Sequence, residues 1–253
     1  MFERRWRVSW EFITLFIAFL AGWQLIVVIT GIHPIVLPSP IEVGAALIGE
    51  LGELARQGGI SFYEMVLGFI FGFAMGFVAA VGIFYVPFLR RSVYPLLLGF
   101  RIVPKVAFLP LFLVWFGVGI GTKVALAAFS IFFLVLVQTL LGLSTVEEEA
   151  IEFGRSLKMS EWSIFRKIRL PSALPAIMVG VKLGITYALT NVVVAEMLVS
   201  RQGLGFVVTE AKNSLRTASL IATIVVVAII GLFLYAVGLA VERKTTSWYV
   251  EEA

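Results

Sequence analysis

The residues of this chain that could do chemistry are few in kind. The sequence contains one histidine, His33, no cysteine, and 16 acidic residues that are all glutamate. One histidine without cysteine or aspartate leaves no metal cluster and no catalytic triad. The segment GVGIGTK at 117–123 holds its glycines and lysine too close together for a P-loop ATPase site. We therefore expect neither enzyme activity nor a cofactor in this chain.

Two lysines lie within long apolar stretches, where an ionisable side chain is costly and is a candidate for function. Lys105 and Lys182 both fall near the middle of such stretches, counting about 1.5 Å per helical residue. Two cations at similar depth would suit an anionic solute. The alternatives are that each lysine extends its ammonium group to the headgroup region, or forms a structural ion pair with a neighbouring helix.

Polar residues mark one face of the stretch that contains Lys182. Tyr187 and Asn191 are four residues apart, with Thr186 and Thr190 beside them, so they form a polar stripe on an apolar helix. Such a stripe either lines a translocation path or bonds to a neighbouring helix. Glu196 lies near the end of the same stretch, where we interpret it as an outer gate or a structural anchor.

The elements that must position these residues are membrane helices. The chain is 60% hydrophobic, with a mean hydropathy of +1.02, as is typical of an integral membrane protein. A helix that spans a bilayer needs about 20 apolar residues. The sequence predicts a single all-α membrane domain over 1–253 with six spans, at about 12–30, 61–86, 93–117, 122–143, 172–199 and 217–240. We expect the first span to be retained rather than cleaved, because no small-residue cleavage site follows it.

The third predicted span is the least regular, since Pro95, Pro104 and Pro110 interrupt it. Such breaks are tolerated in a membrane only where other protein or a water-filled cavity satisfies the freed backbone groups. In the second predicted span, by contrast, glycines recur every four residues at 68, 72 and 76. This ridge favours close packing of a neighbouring helix over a functional role.

An amphipathic helix is predicted between the first two spans, from Ile41 to about Gln57. Its start is marked by Ser39 as the N-cap, proline at the next position, and Glu42 completing a capping box. We expect the glycine pair at 58–59 to end this helix. Its single apolar stripe predicts that it lies on the outer surface of the membrane.

The longest polar segment in the interior of the chain runs from 147 to 171. Ten of its first 24 residues are charged, five of each sign, and apolar stretches flank it on both sides. Its apolar residues recur at helical spacing, so we predict two short amphipathic helices at a membrane surface. A turn is expected near Lys158 and Met159, with Ser160 as the N-cap of the second helix. An ordinary connecting loop is the alternative.

The distribution of lysine and arginine predicts the orientation of the chain. With a cytoplasmic N-terminus, the segments on the inside hold 12 of these residues and the segments on the outside hold five. Because basic residues are retained in cytoplasmic loops, both termini and the 147–171 segment are expected in the cytoplasm.

The 147–171 segment resembles the cytoplasmic coupling loop of bacterial ABC importer permeases. The pattern there is Glu-Ala-Ala, three residues, Gly, nine residues, then Ile-x-Leu-Pro, and Glu152, Ile168, Leu170 and Pro171 match it. Phenylalanine and glycine replace the two alanines, and Lys158 replaces the motif glycine. That glycine permits a left-handed turn, in which a lysine would cost on the order of 1 kcal/mol.

The resemblance implies that the coupling loop docks apolar residues in a groove on an ATPase subunit and transmits its closure to the spans. The residues it assigns to this dock are Glu152, Phe153, Leu157, Lys158 and Trp162, with Pro171 fixing where the fifth span begins. The alternative for Phe153 and Leu157 is that they pack back onto their own subunit.

Further motifs are similar to one branch of these permeases, which serves sulfonate, taurine, nitrate, bicarbonate and pyrimidine-precursor importers. They are VLPSPIEV (36–43), SFYEMVLGF (61–69), RIVPKVAFLPLFLVWFGVGIGTK (101–123), LPSALPAIMVGVKLG (170–184), VAEMLVSRQGLG (194–205) and VERKTTSWY (241–249). One departure is Glu64, where the branch usually has arginine. The branch spans substrates of unlike charge, and the two lysines favour a small anion such as a sulfonate, nitrate or bicarbonate.

The resemblance implies a type I importer permease of the bacterial inner membrane. Two copies, expected to be a homodimer, would form the pore, and two ATPase subunits would bind ATP and Mg²⁺ beneath it. An extracytoplasmic solute-binding protein would deliver the solute, and no nucleic acid is expected as a partner. The alternative is a secondary transporter in which Glu64 or Glu196 carries a proton or sodium ion. Paired broken spans in two repeated halves would support it, but the sequence shows no such repeat.

Overall fold

A computed structural model describes residues 10–246, apart from the side chains of five residues within 93–102. Arg4, Arg5 and Arg7, which contribute to the predicted orientation, lie outside the described residues, as does the end of the 241–249 motif. Every regular element from 10 to 246 is helical. The helices are α1 (Trp10–Thr30), α2 (Pro40–Gly49), α3 (Leu51–Tyr85), α4 (Pro87–Ile102), α5 (Leu109–Phe116), α6 (Ile120–Ser144), α7 (Glu148–Ser156), α8 (Glu161–Ile164), α9 (Leu170–Val199), α10 (Leu204–Asn213) and α11 (Thr217–Thr245).

Five helical stretches in the described chain are long and apolar enough to cross a bilayer: α1, α3, α6, α9 with the short segment before it, and α11. The third predicted span, 93–117, is not one helix. It is divided between α4, a 3-10 turn at Lys105–Phe108, and α5. Pro104 precedes the turn and Pro110 lies in the first turn of α5, so the prolines break the stretch where they remove backbone donors.

The core is built from α3, α6 and α9, which pack along most of their lengths. Gly72 shows why α3 can approach α6 so closely. A side-chain carbon placed there would lie 2.6 Å from the Ala128 carbonyl oxygen and 2.8 Å from Ile131. Gly68 and Gly76 meet α6 in the same way. The predicted packing role of this glycine ridge is therefore confirmed.

The start of α2 has the predicted capping box. The Ser39 hydroxyl accepts a hydrogen bond from the Glu42 backbone N–H at 3.3 Å, and the Glu42 carboxylate accepts one from the Ser39 N–H at 2.7 Å. The predicted end at Gly58 and Gly59 is wrong. The helix breaks at Glu50 instead, and α3 runs straight through both glycines. A side-chain carbon placed at Gly58 would lie 3.5 Å from Ile230, so this glycine faces the neighbouring helix α11 instead of ending its own.

Two elements differ from the other helices in how they pack. No residue of α1 is buried within the chain, and α1 contacts the rest mainly through α2. Helix α10 lies between the fifth and sixth predicted spans, where the sequence analysis predicts no helix, and it packs against α3, α9 and α11. Its buried residues include Leu204 and Val207.

Candidate functional site

A cleft of about 350 Å³ opens between the Lys105 turn, α6 and α9. It gathers polar residues that are far apart in the sequence. Its lining combines Lys105, Ser130, Tyr187, Thr190 and Asn191 with the apolar side chains of Val106, Leu134 and Val194. The predicted pathway residues Lys105, Tyr187, Thr190 and Asn191 therefore meet in one place, while Ser130 is an addition that the sequence did not single out.

Asn191 and Thr190 form hydrogen bonds within their own helix and still line the cleft. The Asn191 side-chain amide donates to the Tyr187 carbonyl oxygen at 2.7 Å, and the Thr190 hydroxyl donates to the Thr186 carbonyl oxygen at 3.1 Å. Both bonds lie within α9, so neither residue holds a neighbouring helix through them. The Lys105 ammonium lies 5.8 Å from the centroid of the Phe133 ring, a cation–π distance that orients the lysine beside the cleft.

The second intramembrane lysine has a structural partner. The Lys182 ammonium bonds both carboxylate oxygens of Glu242 on α11, at 2.7 and 3.0 Å. Both side chains are about one fifth exposed. This is the ion pair that the sequence left open as an alternative, and it ties α9 to α11. Lys182 is not among the residues that line the cleft.

Glu196 belongs to a buried set of residues that we call the α9–α10 network. Its carboxylate accepts hydrogen bonds from the Ser61 hydroxyl at 2.7 and 2.9 Å and from the Gly205 backbone N–H at 2.8 Å. The Ser61 oxygen in turn accepts from the Leu204 N–H at 2.9 Å. The Gly203 N–H donates to the Gln57 side chain at 2.6 Å. Side chains of α3 and α9 thus cap the free N–H groups at the start of α10.

The network also contains a buried ion pair between α3 and α6. The Lys123 ammonium bonds the Glu64 carboxylate and also the Ser200 hydroxyl, the latter at 3.2 Å. Lys123 is 2% exposed and Glu64 is 0% exposed. Glu64, at the position where the similar permeases usually have arginine, therefore forms an ion pair with Lys123. Glu196, predicted as a pathway residue at an outer gate or as a structural anchor, is not among the residues that line the cleft, and its bonds tie α9 to α3 and α10.

The sequence did not predict the pairing of Glu64 with Lys123, because they are 59 positions apart and no local spacing links the two motifs that contain them. A signal was present nonetheless. Each is a single charge close to the end of a long apolar stretch, where burial requires a partner of opposite sign.

The coupling loop forms two short helices, α7 and α8, followed by a π-helical turn at Phe165–Arg169 that leads into α9. Ser160 caps α8 as predicted, with its hydroxyl accepting from the Ser163 N–H at 3.2 Å. The loop is held to the chain by Ile151 and Ile164, both 0% exposed.

The apolar dock residues face away from the chain. Phe153 is 65% exposed, Leu157 is 60% exposed and Trp162 is 68% exposed. Phe153 and Leu157 therefore do not pack back onto their own subunit, and Trp162 rests with one face on the Phe165 ring, 5.5 Å away between centroids. Glu152 is exposed beside them, and Pro171 is the second residue of α9. Phe153, Leu157 and Trp162 form an apolar surface that no other part of the described chain covers.

Lys158 adopts the left-handed conformation that its motif position implies, with φ at 56°. It follows the end of α7, where the Met159 N–H bonds the Gly154 carbonyl oxygen at 3.1 Å and the Lys158 N–H bonds the Arg155 carbonyl oxygen at 2.9 Å. These two bonds define a Schellman turn, in which glycine is usual. The turn is thus retained and the strain is borne by lysine.

Comparison with known proteins gives this architecture a family. Residues 68–247 match the profile of the binding-protein-dependent transport system inner membrane component. The chain belongs to this family. This permease is 32% identical to a Bacillus subtilis (strain 168) permease named for aliphatic sulfonates, SsuC, over 90% of this chain and 84% of that protein. It is 31% identical to the taurine transport system permease protein TauC of Escherichia coli (strain K12), over 98% and 94%.

A solved structure shares the fold. The membrane subunit in inward-facing structures of the MetNI methionine ABC transporter superposes on this permease with a TM-score of 0.69 at 18% identity, covering 78% of this chain and 98% of that one. The type I importer permease fold is therefore confirmed. The chain is a multi-pass inner-membrane subunit of an ABC importer, and it works with ATPase chains and a substrate-binding protein. The secondary transporter is not favoured.

Proposed function

We propose that the cleft beside Lys105 forms part of the path for a small anion, and that the anion is a sulfonate. The observation that supports this proposal most strongly is the set of residues that line the cleft. One ammonium group, two hydroxyl-bearing residues on α9 and Ser130 on α6 surround the same space, and no glutamate is among its described lining residues. A sulfonate oxygen accepts hydrogen bonds from ammonium and phenol groups, which Lys105 and Tyr187 supply here, whereas the Ser130 and Thr190 hydroxyls donate to carbonyl oxygens of their own helices and add polarity to the lining.

The two intramembrane lysines differ in position, which supports this assignment. Lys182 bonds Glu242 and is not among the residues that line the cleft. Lys105 lies at a break in the helices and lines the cleft itself, with its ammonium group close to an aromatic ring. The names of the relatives SsuC and TauC point to the same class, because taurine and aliphatic sulfonates carry a sulfonate group.

The experiment for this proposal is uptake by proteoliposomes that contain the permease with its ATPase and binding protein. Lys105→Leu should reduce uptake of taurine or an alkanesulfonate about tenfold, the value of one charge-assisted hydrogen bond. Lys182→Leu combined with Glu242→Leu is the matched control, since it removes a paired charge. Equal losses for a neutral solute and for the sulfonate in the Lys105 variant would contradict the proposal.

For the assembly, we propose a homodimer of this permease bound to two ATPase subunits, which hold ATP and Mg²⁺. The exposed apolar surface of α1 and the open cleft support a second copy, because a path between two subunits needs only half of its lining from each. The exposed apolar residues of the coupling loop support the ATPase contact. In this proposal Phe153, Leu157 and Trp162 enter the groove, while Glu152 and Lys158 bond at its edge.

We propose that both termini and the coupling loop are cytoplasmic, as the excess of basic residues in these segments predicts. The absence of native cysteine makes this testable by single substitutions. A membrane-impermeant maleimide added to intact cells should label Ser214→Cys, next to α10, and should not label Ser156→Cys in the coupling loop. In inverted vesicles the labelling should reverse. Labelling of Ser156→Cys from outside the cell would overturn the orientation and the coupling role together.

A further inference from the structure

Two arginines from distant parts of the chain share one aromatic ring at the end of α3. The guanidinium carbon of Arg90, on the first turn of α4, lies 5.8 Å from the centroid of the Phe84 ring. That of Arg169, at the end of the π-helical turn, lies 4.9 Å from the same centroid. The two guanidinium carbons are therefore no farther apart than the sum of these two distances. Phe84 is the residue before the last of α3, so the pair sits at the level where the span ends.

Neither guanidinium has a carboxylate within 4 Å among the described residues. Glu161, the acidic residue of the short helix next to them, already bonds Arg155 at 3.2 Å. The Nε atom of Arg169 is buried and makes no hydrogen bond within the described chain. Two like charges without a carboxylate call for an anion, because neither cation–π contact satisfies the terminal N–H groups of the guanidiniums.

The surroundings are those of a membrane interface. Helix α4 carries Arg90 and Arg91 among apolar residues, with Phe88 at 71% and Leu96 at 65% exposure. Such a helix lies along the boundary between acyl chains and headgroups. On the other side, Arg166 and Lys167 of the π-helical turn are exposed. The local charge is therefore positive on both sides of the Phe84 ring, next to surface that lipid covers.

We propose that Arg90 and Arg169 bind the phosphate group of an anionic lipid headgroup, such as that of phosphatidylglycerol, over the edge of Phe84. The phosphate accepts from the terminal N–H groups of both guanidiniums. The acyl chains lie along Phe88 and Leu96 on α4. The proposed orientation of the chain decides only which leaflet supplies the lipid. The bound lipid joins α4 to the segment through which the coupling loop enters α9.

The experiment is native mass spectrometry of the full chain in detergent, titrated separately with dioleoyl phosphatidylglycerol and dioleoyl phosphatidylcholine. The wild type should bind the anionic lipid more tightly. Arg90→Gln with Arg169→Gln should weaken phosphatidylglycerol binding about tenfold and leave phosphatidylcholine binding unchanged, since each basic residue near an anionic surface contributes severalfold. Arg56→Gln is the matched control, because Arg56 is exposed and already paired with Glu53.

A lysine double variant and a competition with inorganic phosphate complete the experiment. If the glutamine pair does not yield folded protein, Arg90→Lys with Arg169→Lys keeps the charge and should lose only part of the preference. Unchanged preference for phosphatidylglycerol in the glutamine pair would overturn the proposal. Inorganic phosphate at millimolar concentration should not displace the lipid. Displacement that depends on both arginines would identify a free-phosphate site instead. Because no transport is measured, neither result bears on the anion path.

Discussion

The α9–α10 network and the coupling loop treat charged and apolar residues in opposite ways. In the network, Glu64, Lys123 and Glu196 are 0%, 2% and 1% exposed, and each is bonded within the chain. In the loop the charged residues other than Arg169 face solvent, and Phe153 and Leu157 are exposed as well. The network therefore buries charged groups, which water normally solvates, whereas the loop exposes apolar side chains, which a protein core normally buries.

The difference shows which region depends on a partner chain. The network forms hydrogen bonds and an ion pair among α3, α6, α9 and α10, so these helices are held together by contacts within the chain, although Oε2 of Glu64 is buried without a hydrogen-bond partner among the described residues. The loop is anchored by Ile151 and Ile164 but leaves Phe153, Leu157 and Trp162 uncovered. Substitutions in the network should therefore change stability, whereas substitutions in the loop should change transport.

The largest effect is expected from Lys123→Met. The variant leaves the Glu64 carboxylate buried without its cation, which costs about 3 kcal/mol or more of the free energy of unfolding. Thermal unfolding in detergent, or unfolding by titration with sodium dodecyl sulfate, measures this loss. Glu64→Leu combined with Lys123→Met is the matched control, and it should recover most of the stability because both charges are removed. A double variant no more stable than the single one would show that the pair is not the source of the cost.

A smaller effect, and of a different kind, is expected from Leu157→Asp. Because this side chain is exposed, the free energy of unfolding should change by less than about 0.5 kcal/mol. A carboxylate buried against the ATPase should reduce ATP-driven uptake and ATPase binding about tenfold. Uptake by proteoliposomes and co-purification with the ATPase are the two measurements.

Two controls separate docking from a general loss of apolar surface. Leu157→Met keeps the apolar contact and should transport normally. Leu215→Asp changes a leucine of similar exposure, 62%, between α10 and α11, and should also transport normally. If Leu157→Asp lowers the stability of the isolated chain instead, the contrast between loop and network fails.

The smallest effect is expected from Lys158→Gly. Glycine accepts the left-handed conformation without the clash that a side chain makes, so the variant should gain about 0.5–1 kcal/mol of stability in the loop turn. Leu215→Gly is a matched comparison, since Leu215 has the same φ of 56°. Hydrogen exchange of the Met159 amide reports the gain locally. Faster exchange in the glycine variant would show that lysine supplies contacts that outweigh its strain.

Features encoded by neighbouring residues could be predicted from the sequence. The capping box at Ser39, the cap at Ser160 and the glycine ridge of α3 each depend on spacings of three or four residues, and the structure has all of them. The family pattern around Glu152 and Pro171 belongs to the same class. Local backbone preferences are strong enough there to decide the result without tertiary contacts.

Features decided by distant contacts could not be predicted. Gly58 and Gly59 are common helix terminators, yet α3 continues through them because its packing against α10 and α11 outweighs the local cost. Helix α10 escaped prediction because its N-terminal cap comes from Gln57 and Ser61, far away in the sequence. The pairing of Lys182 with Glu242 also depends on how α9 and α11 meet.

The π-helical turn at Phe165–Arg169 has a consequence for the cleft. Its bond from the Leu170 N–H to the Phe165 carbonyl oxygen spans one residue more than an α-helical bond. Each residue of an α-helix advances the chain by about 100° around its axis. The surplus residue therefore sets the angular phase of all that follows, including Tyr187 and Asn191. A deletion of one residue there would rotate both side chains away from Lys105, so the length of this turn determines the proposed permeation route as much as the identity of the lining residues does.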